Sequence, residues 1–161
     1  MPARFLYARF PADDPRAAAD WMRTVDELAI GFAAAPIERR AQPAGPVLSW
    51  RLVSENRREI ARGCRLFPGE RQVQADIDRL LRGVDELEVH AAPAPRLRSH
   101  GWFVTRAGAI VMMGARRYEK RSAAEQSAAL TIRALRELAA LAGIAAGAPV
   151  DPAGPTTALL A

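Results

Sequence analysis

Hydrophobic and polar positions follow the same order twice along this chain. From Trp50 the sequence reads WRLVSENRREIARGCRLF and continues PGERQVQADIDRLLRGVDEL; from Trp102 it reads WFVTRAGAIVMMGARRY and continues EKRSAAEQSAALTIRALREL. In each stretch a tryptophan and an aliphatic residue two places on, Trp50 with Leu52 and Trp102 with Val104, fall on one side of a strand, because successive side chains of an extended chain alternate faces. A polar break follows. Ser54 to Arg58 suit a hairpin turn in the first stretch; in the second, Ala107 and Gly108 make the reversal in fewer residues, glycine being free to take positive φ. Ile60 to Leu66 and Ala109 to Ala115 are the return strands. The period then changes to 3.6. Val73, Ile77, Leu80, Leu81 and Val84 form one helical stripe, and Ala124, Ala128, Ile132, Leu135, Leu138 and Ala142 another. Ser122, three residues before Glu125, has the spacing of a capping box. Gly83 and Gly143 mark the helix ends, since glycine costs about 1 kcal/mol in a helix interior. Leu87 to His90 read as a further short strand.

The correspondence runs residue by residue: Trp50 with Trp102, Ile60 with Val111, Gly63 with Gly114, Arg65 with Arg116, Phe67 with Tyr118, Leu81 with Ile132, Val84 with Leu135 and Leu87 with Leu138. This predicts an α+β protein in which tandem β-hairpin/helix repeats, over 47–91 and 99–143, build one mainly antiparallel sheet with helices on one face. Trp50, Leu52, Ile60 and Phe67, with Trp102, Val104, Val111 and Tyr118, are the expected structural core. Gly63 and Gly114 suggest a bulge or a helix packed close to the sheet. Residues 1–46 read as a degenerate half repeat. Residues 3–9 form a strand, Asp14-Pro15 is a helix start, and Trp21, Val25 and Leu28 share a helical face. Val25-Asp26-Glu27-Leu28 repeats Val84-Asp85-Glu86-Leu87 letter for letter. Leu28 to Ala33 reads equally as continued helix or as a strand. Ala41 to Pro46 and residues 91–98 are Pro-containing linkers, and 144–161 is a flexible tail.

The two units resemble the YegP-like family, whose repeat carries an aromatic, a hydrophobic residue two later, an Asn-Gly turn, an Ile, a small residue and a Tyr before a helix. The first unit matches at Trp50, Leu52, Asn56, Ile60, Gly63 and Phe67, the second at Trp102, Val104, Gly108, Val111, Gly114 and Tyr118, over residues 48–142. Arg57 stands where that repeat has its turn glycine. The resemblance implies β-β-β-α-β units that join in a single sheet with exchanged terminal strands and helices covering one face. It implies no catalytic residues.

Composition narrows the chemistry. Half of the 161 residues are hydrophobic and a quarter charged, the balance of a globular chain rather than a disordered one. Cys64 is the only cysteine, so no intrachain disulfide or cysteine cluster forms, which fits a reducing compartment. Arginine interrupts the apolar amino-terminal run too early for a signal-peptide core. No apolar run approaches the roughly 18 residues of a membrane span. These features together predict a soluble cytoplasmic protein without a membrane partner. His90, His100 and Cys64 lack metal-ligand spacing, so no metal and no cofactor are expected. A nucleophilic Cys64 would need a base such as His90 on a neighbouring strand; a lone cysteine more often fills a core. The adjacent acids Asp26-Glu27 and Asp85-Glu86 point in different directions on a helix and make no acid/base pair. No catalytic residue is assigned, and the expected protein is not an enzyme.

The formal net charge is +5, and Lys120 is the only lysine among 23 basic residues. Arginine in this proportion, beside abundant Ala and Pro, reflects base composition as well as selection. Even so, the cations recur at matching places. Arg57, Arg58, Arg62, Arg65 and Arg71 cluster in the first unit; Arg116, Arg117, Lys120 and Arg121 cluster in the second. Duplicated basic patches at a strand–helix junction suit a phosphate backbone. Trp102, Phe103 and Tyr118 would add a stacking surface if they face outward. Glu55, Glu59, Glu70 and Glu119 are interleaved and oppose this reading. The alternative is a protein-interaction or homodimerisation scaffold, with Phe103, Met112 and Met113 as an apolar patch on a sheet face that lacks helices.

Overall fold

The computed structural model describes residues 3–31, 45–94 and 98–144. In chain order they form β1 (Arg4–Phe10), α1 (Pro15–Gly31), β2 (Val47–Val53), β3 (Glu59–Gly63), α2 (Glu70–Arg82), a 3-10 turn (Val84–Glu86), β4 (Glu88–Ala94), β5 (Ser99–Arg106), β6 (Ala109–Gly114) and α3 (Arg121–Leu141). The strands make one open antiparallel sheet in the order β1-β2-β3-β6-β5-β4. The order reads the same outward from the central β3–β6 pair in both directions. Each half is thus an edge strand, a hairpin and a helix: β1-β2-β3-α2 and β4-β5-β6-α3.

Corresponding positions have corresponding surroundings. Trp50 and Trp102 are fully buried on the face under α2 and α3, with Leu52, Val104, Ala61 and Met112. Ile60, Phe67, Val111 and Tyr118 are half-buried against the same core. Leu48 and Phe67 exchange backbone hydrogen bonds of 2.8 and 2.7 Å; His100 and Tyr118 do so at 2.7 and 2.8 Å. Gly63 and Gly114 mark neither a bulge nor a close helix. An indole lies on each: a Cβ at Gly63 would stand 2.8 Å from Nε1 of Trp50, and one at Gly114 2.5 Å from Cε2 of Trp102.

The second face is not bare. α1 crosses it and packs against both edge strands, β1 and β4. Its 17 residues span about 26 Å, matching the roughly 24 Å across six strands. Ala18, Trp21 and Val25 bury Ala8, Phe10, Val47, Cys64, Phe103, Ile110 and Met113 there. The helices of the two halves, α2 and α3, do share one face; α1 takes the other.

Several local expectations change. α1 begins as expected at Asp14-Pro15, where Asp14 Oδ1 accepts from the Ala17 backbone at 3.4 Å, and it continues to Gly31, so residues 28–31 are helix. α3 starts at Arg121 with Lys120 as an uncapped N-cap, and Glu125 accepts from Arg121 instead of closing a capping box with Ser122. β4 extends to Ala94, so 91–94 are strand rather than linker. Pro93 is tolerated because β4 is an edge strand, where a missing N–H need not break a ladder on both sides. The repeated Val-Asp-Glu-Leu sits within a helix at Val25 and on a 3-10 turn at Val84, so those letters are not structurally equivalent. The linker over 41–44, residues 95–97 and the tail from 145 lie outside the described residues.

Candidate nucleic-acid interface

Strand register decides which cations meet. β3 and β6 pair antiparallel with Ala61 opposite Gly114 and Gly63 opposite Met112. The start of β3 therefore lies beside the end of β6, where the Ala115 backbone N–H donates to the Ile60 carbonyl at 3.1 Å. That contact puts the β2–β3 turn, with Arg57 and Arg58, next to the β6–α3 junction, with Arg116, Arg117, Lys120 and Arg121. Six of the nine sequence candidates thus gather at one end of the sheet, contributed by both halves. The other three do not join them. Arg71 is exposed in the first turn of α2. Arg62 lies in mid-sheet under α1, 4.4 Å from the Trp21 ring and paired with Glu59 at 2.7 Å. Arg65 emerges at the opposite end, paired with Asp76 at 2.7 Å and 5.4 Å from the Phe67 ring.

The fate of Arg65 and Arg116 turns on one helix position. In the first half Asp76 of α2 accepts from Trp50 Nε1 at 2.8 Å and from Arg65. In the second half the residue in that place is Ser127, whose Oγ accepts from Trp102 Nε1 at 3.2 Å and from the Tyr118 hydroxyl at 2.7 Å. With the acid replaced by a hydroxyl that tyrosine occupies, Arg116 stays exposed. Arg57, Arg58 and Lys120 are exposed too; Arg121 is exposed but holds Glu125 at 2.8 Å. Arg117 is half-buried, with its Nη1 enclosed and without a hydrogen-bond partner among the described residues.

Two further exposed cations escaped the sequence reading, Arg4 at this end and Arg51 in mid-sheet, level with Arg62. Arg4 pairs with Val53 across β1–β2, and Arg51 lies opposite Leu6 and Arg62 on the face that carries α1. Both are exposed. Their signal was the strand alternation itself: Arg51 interrupts an otherwise buried strand, at the one β2 position left facing water.

The aromatic part of the expectation does not hold. Trp102 and Phe103 are buried, Phe103 stacking on His90 at 4.8 Å beneath α1, and Tyr118 turns its hydroxyl to Ser127. Met112 and Met113 are fully buried as well, so the apolar patch proposed for a partner is core. Cys64, His90 and His100 do not converge. Cys64 is enclosed under α1, and burial pushes its thiol well above the ordinary range. His90 Nε2 meets the Thr105 hydroxyl at 2.8 Å, while His100 lies two residues from Trp102, on the other face. Among the described residues no three His, Cys, Asp or Glu side chains could share a metal ion. Asp85 is exposed and paired with Arg136 at 3.1 Å. Among the described residues no helix is long and apolar enough to cross a membrane. No family model matches the chain, and no curated protein or solved structure matches it.

Proposed function

We propose that this protein is a non-enzymatic binding module for nucleic acid, contacting phosphates at the sheet end where the β2–β3 turn meets the β6–α3 junction. The observation that carries this is the Ala115–Ile60 hydrogen bond, which joins the two arginine runs. Arg57, Arg58, Arg116 and Lys120, with Arg4 at the same end, supply exposed cations. The buried aromatics leave no stacking platform among them. Recognition is therefore electrostatic and independent of base sequence, through phosphates rather than base edges. The YegP-like resemblance fits the same proposal, in which the two β-β-β-α halves are copies of one unit that diverged at Asp76 and Ser127.

The test is fluorescence anisotropy with generic single-stranded and duplex oligonucleotides across a salt series. Binding strengthens at low salt, and each of Arg58→Gln and Arg116→Gln lowers the log–log salt slope by about 0.7 to 0.9. Arg65→Gln leaves the slope unchanged, because that cation is already paired. Absence of binding at low salt overturns the proposal. A concentration-dependent dimer without nucleic-acid affinity favours the scaffold reading instead.

A further inference from the structure

At the opposite end of the sheet, α2 and the β5–β6 turn enclose a cavity of about 240 Å³. Both halves line it: Arg65, Asp76, Arg79 and Leu80 from the first, Arg106 and Ile110 from the second. Its charges do not balance. Both oxygens of the one carboxylate are engaged, Oδ1 by Arg65 and Oδ2 by Trp50. Arg79 and Arg106 have no acidic partner among the described residues. Arg106 is nonetheless held in place. Its Nη1 donates to the Arg79 carbonyl at 2.8 Å, in the last turn of α2, an oxygen that also accepts from the Gly83 backbone N–H at 3.1 Å and lies at the negative end of the helix. Gly83 makes room for it: a Cβ there would stand 2.6 Å from that same nitrogen. A guanidinium has five donors, so the fork keeps most of them for a ligand. The rest of the wall, including Leu80 and Val111, is apolar. The duplicated plan does not produce this charge, because the place of Arg79 is taken in the second half by Leu130, which is half exposed.

We propose that the cavity is a binding site for a small organic oxyanion, a carboxylate or phosphate ester on an apolar body. Arg79 and Arg106 hold the oxyanion, for which the planar guanidinium fork is suited. The apolar body lies against Leu80 and Val111. This site is separate from the arginine surface and does not depend on that reading.

The probe is phenyl phosphate, followed by calorimetry and by amide shifts in nuclear magnetic resonance. Inorganic phosphate serves as the anion alone and benzyl alcohol as the apolar body alone. Phenyl phosphate binds at a single site and shifts the amides of Ala107 to Val111, and each partial probe binds more weakly by on the order of tenfold. Arg106→Gln lowers the affinity for phenyl phosphate on the order of tenfold. Gly83→Ala does likewise with every charge retained, because it displaces Arg106. Arg58→Gln, at the other end, leaves this affinity unchanged, and Arg106→Gln leaves oligonucleotide binding unchanged. If either cavity variant fails to fold, the wild-type amide shifts decide. The proposal is overturned by no shift at roughly millimolar probe, by shifts elsewhere, or by a folded Arg106→Gln that binds as the wild type does.

Discussion

Replacing Arg57 by glycine tests whether a cation is kept at the tip of the β2–β3 turn at the expense of stability. Arg57 has φ +57, a left-handed conformation that L side chains with a Cβ enter at a cost of about 1–2 kcal/mol. The loop has the form of a three-residue hairpin whose last loop residue must be left-handed: the Arg57 N–H donates to Ser54 O at 2.9 Å and the Ser54 N–H to Arg58 O at 2.9 Å. Glycine keeps both bonds, since they are backbone bonds. The arginine side chain is exposed, so little packing is lost. Against the relief of strain stands the larger entropy glycine loses on folding, about 0.5–1 kcal/mol. The net expectation for Arg57→Gly is a gain of about 0.5–1 kcal/mol, or roughly 2–3 °C in Tm for a chain of this size. Thermal and urea unfolding followed by tryptophan fluorescence measure it. The same variant loses one phosphate contact, so its salt slope for oligonucleotide binding falls by about 0.7 to 0.9. Arg57→Ala separates the two effects, because it removes the charge and keeps the Cβ; affinity falls and stability stays. A lower Tm for Arg57→Gly refutes the strain argument, and a higher Tm with unaltered binding refutes the function assigned to the cation.

Ser127→Asp recreates in the second half the acid that holds Arg65 in the first; it draws Arg116 onto α3 and lowers the oligonucleotide salt slope by about one contact's worth, 0.7 to 0.9, measured by anisotropy. Gly63→Ala and Gly114→Ala each force a fully buried indole to move and destabilise by about 1–3 kcal/mol in urea titrations, with Gly114→Ala the worse because its Cβ meets Trp102 at the shorter distance. Cys64 is enclosed and its thiol is harder to ionise than a free one, so a thiolate-directed alkylating reagent at mildly alkaline pH leaves the native protein unmodified and labels it in urea. Labelling of the native protein at the rate of a free thiol would contradict that burial.

Much of the fold was legible because the elements of both halves carry their own period. Trp50 with Leu52, Trp102 with Val104, and the stripes through Val73 and Ala124 predict strands and helices without reference to each other, and the structure keeps them. The reading of Leu87 to His90 as a short strand stopped too early because Pro93 looks like a breaker, and only the knowledge that β4 is an edge strand removes the objection. The covered second face was missed for a different reason. Phe103, Met113, Ile110 and Cys64 are apolar in a pattern equally suited to a partner chain, and periodicity does not say that α1 returns across the sheet to meet them. The cations were legible as a composition and as a recurrence, but their grouping was not. Arg65 and Arg116 match in sequence, yet the antiparallel β3–β6 pair sends them to opposite ends, and pairing register is not written in a single strand.

Two differences between the halves separate apolar from charged surface. At the position where the second half has Phe103, beside His90 and Met113 and covered by α1, the first has Arg51, beside Leu6 and Arg62 and open to water. α1 spans the sheet from β1 to β4, but its buried residues pack on Phe10, Val47, Cys64, Phe103, Ile110 and Met113 rather than on Arg4 or Arg51. A helix docking on Arg51 would desolvate a cation for which no acid is in place, a cost that apolar burial would not readily offset. The helix therefore takes the apolar part of the face and leaves Arg4 and Arg51 open to water. On the other face the exchange of Asp76 for Ser127 acts in the same sense, since it leaves Arg116 at the β2–β3 turn end without an acid. Two differences between the halves, one on each face, thus leave Arg51 in mid-sheet and Arg116 at the turn end exposed, with no acidic partner among the described residues.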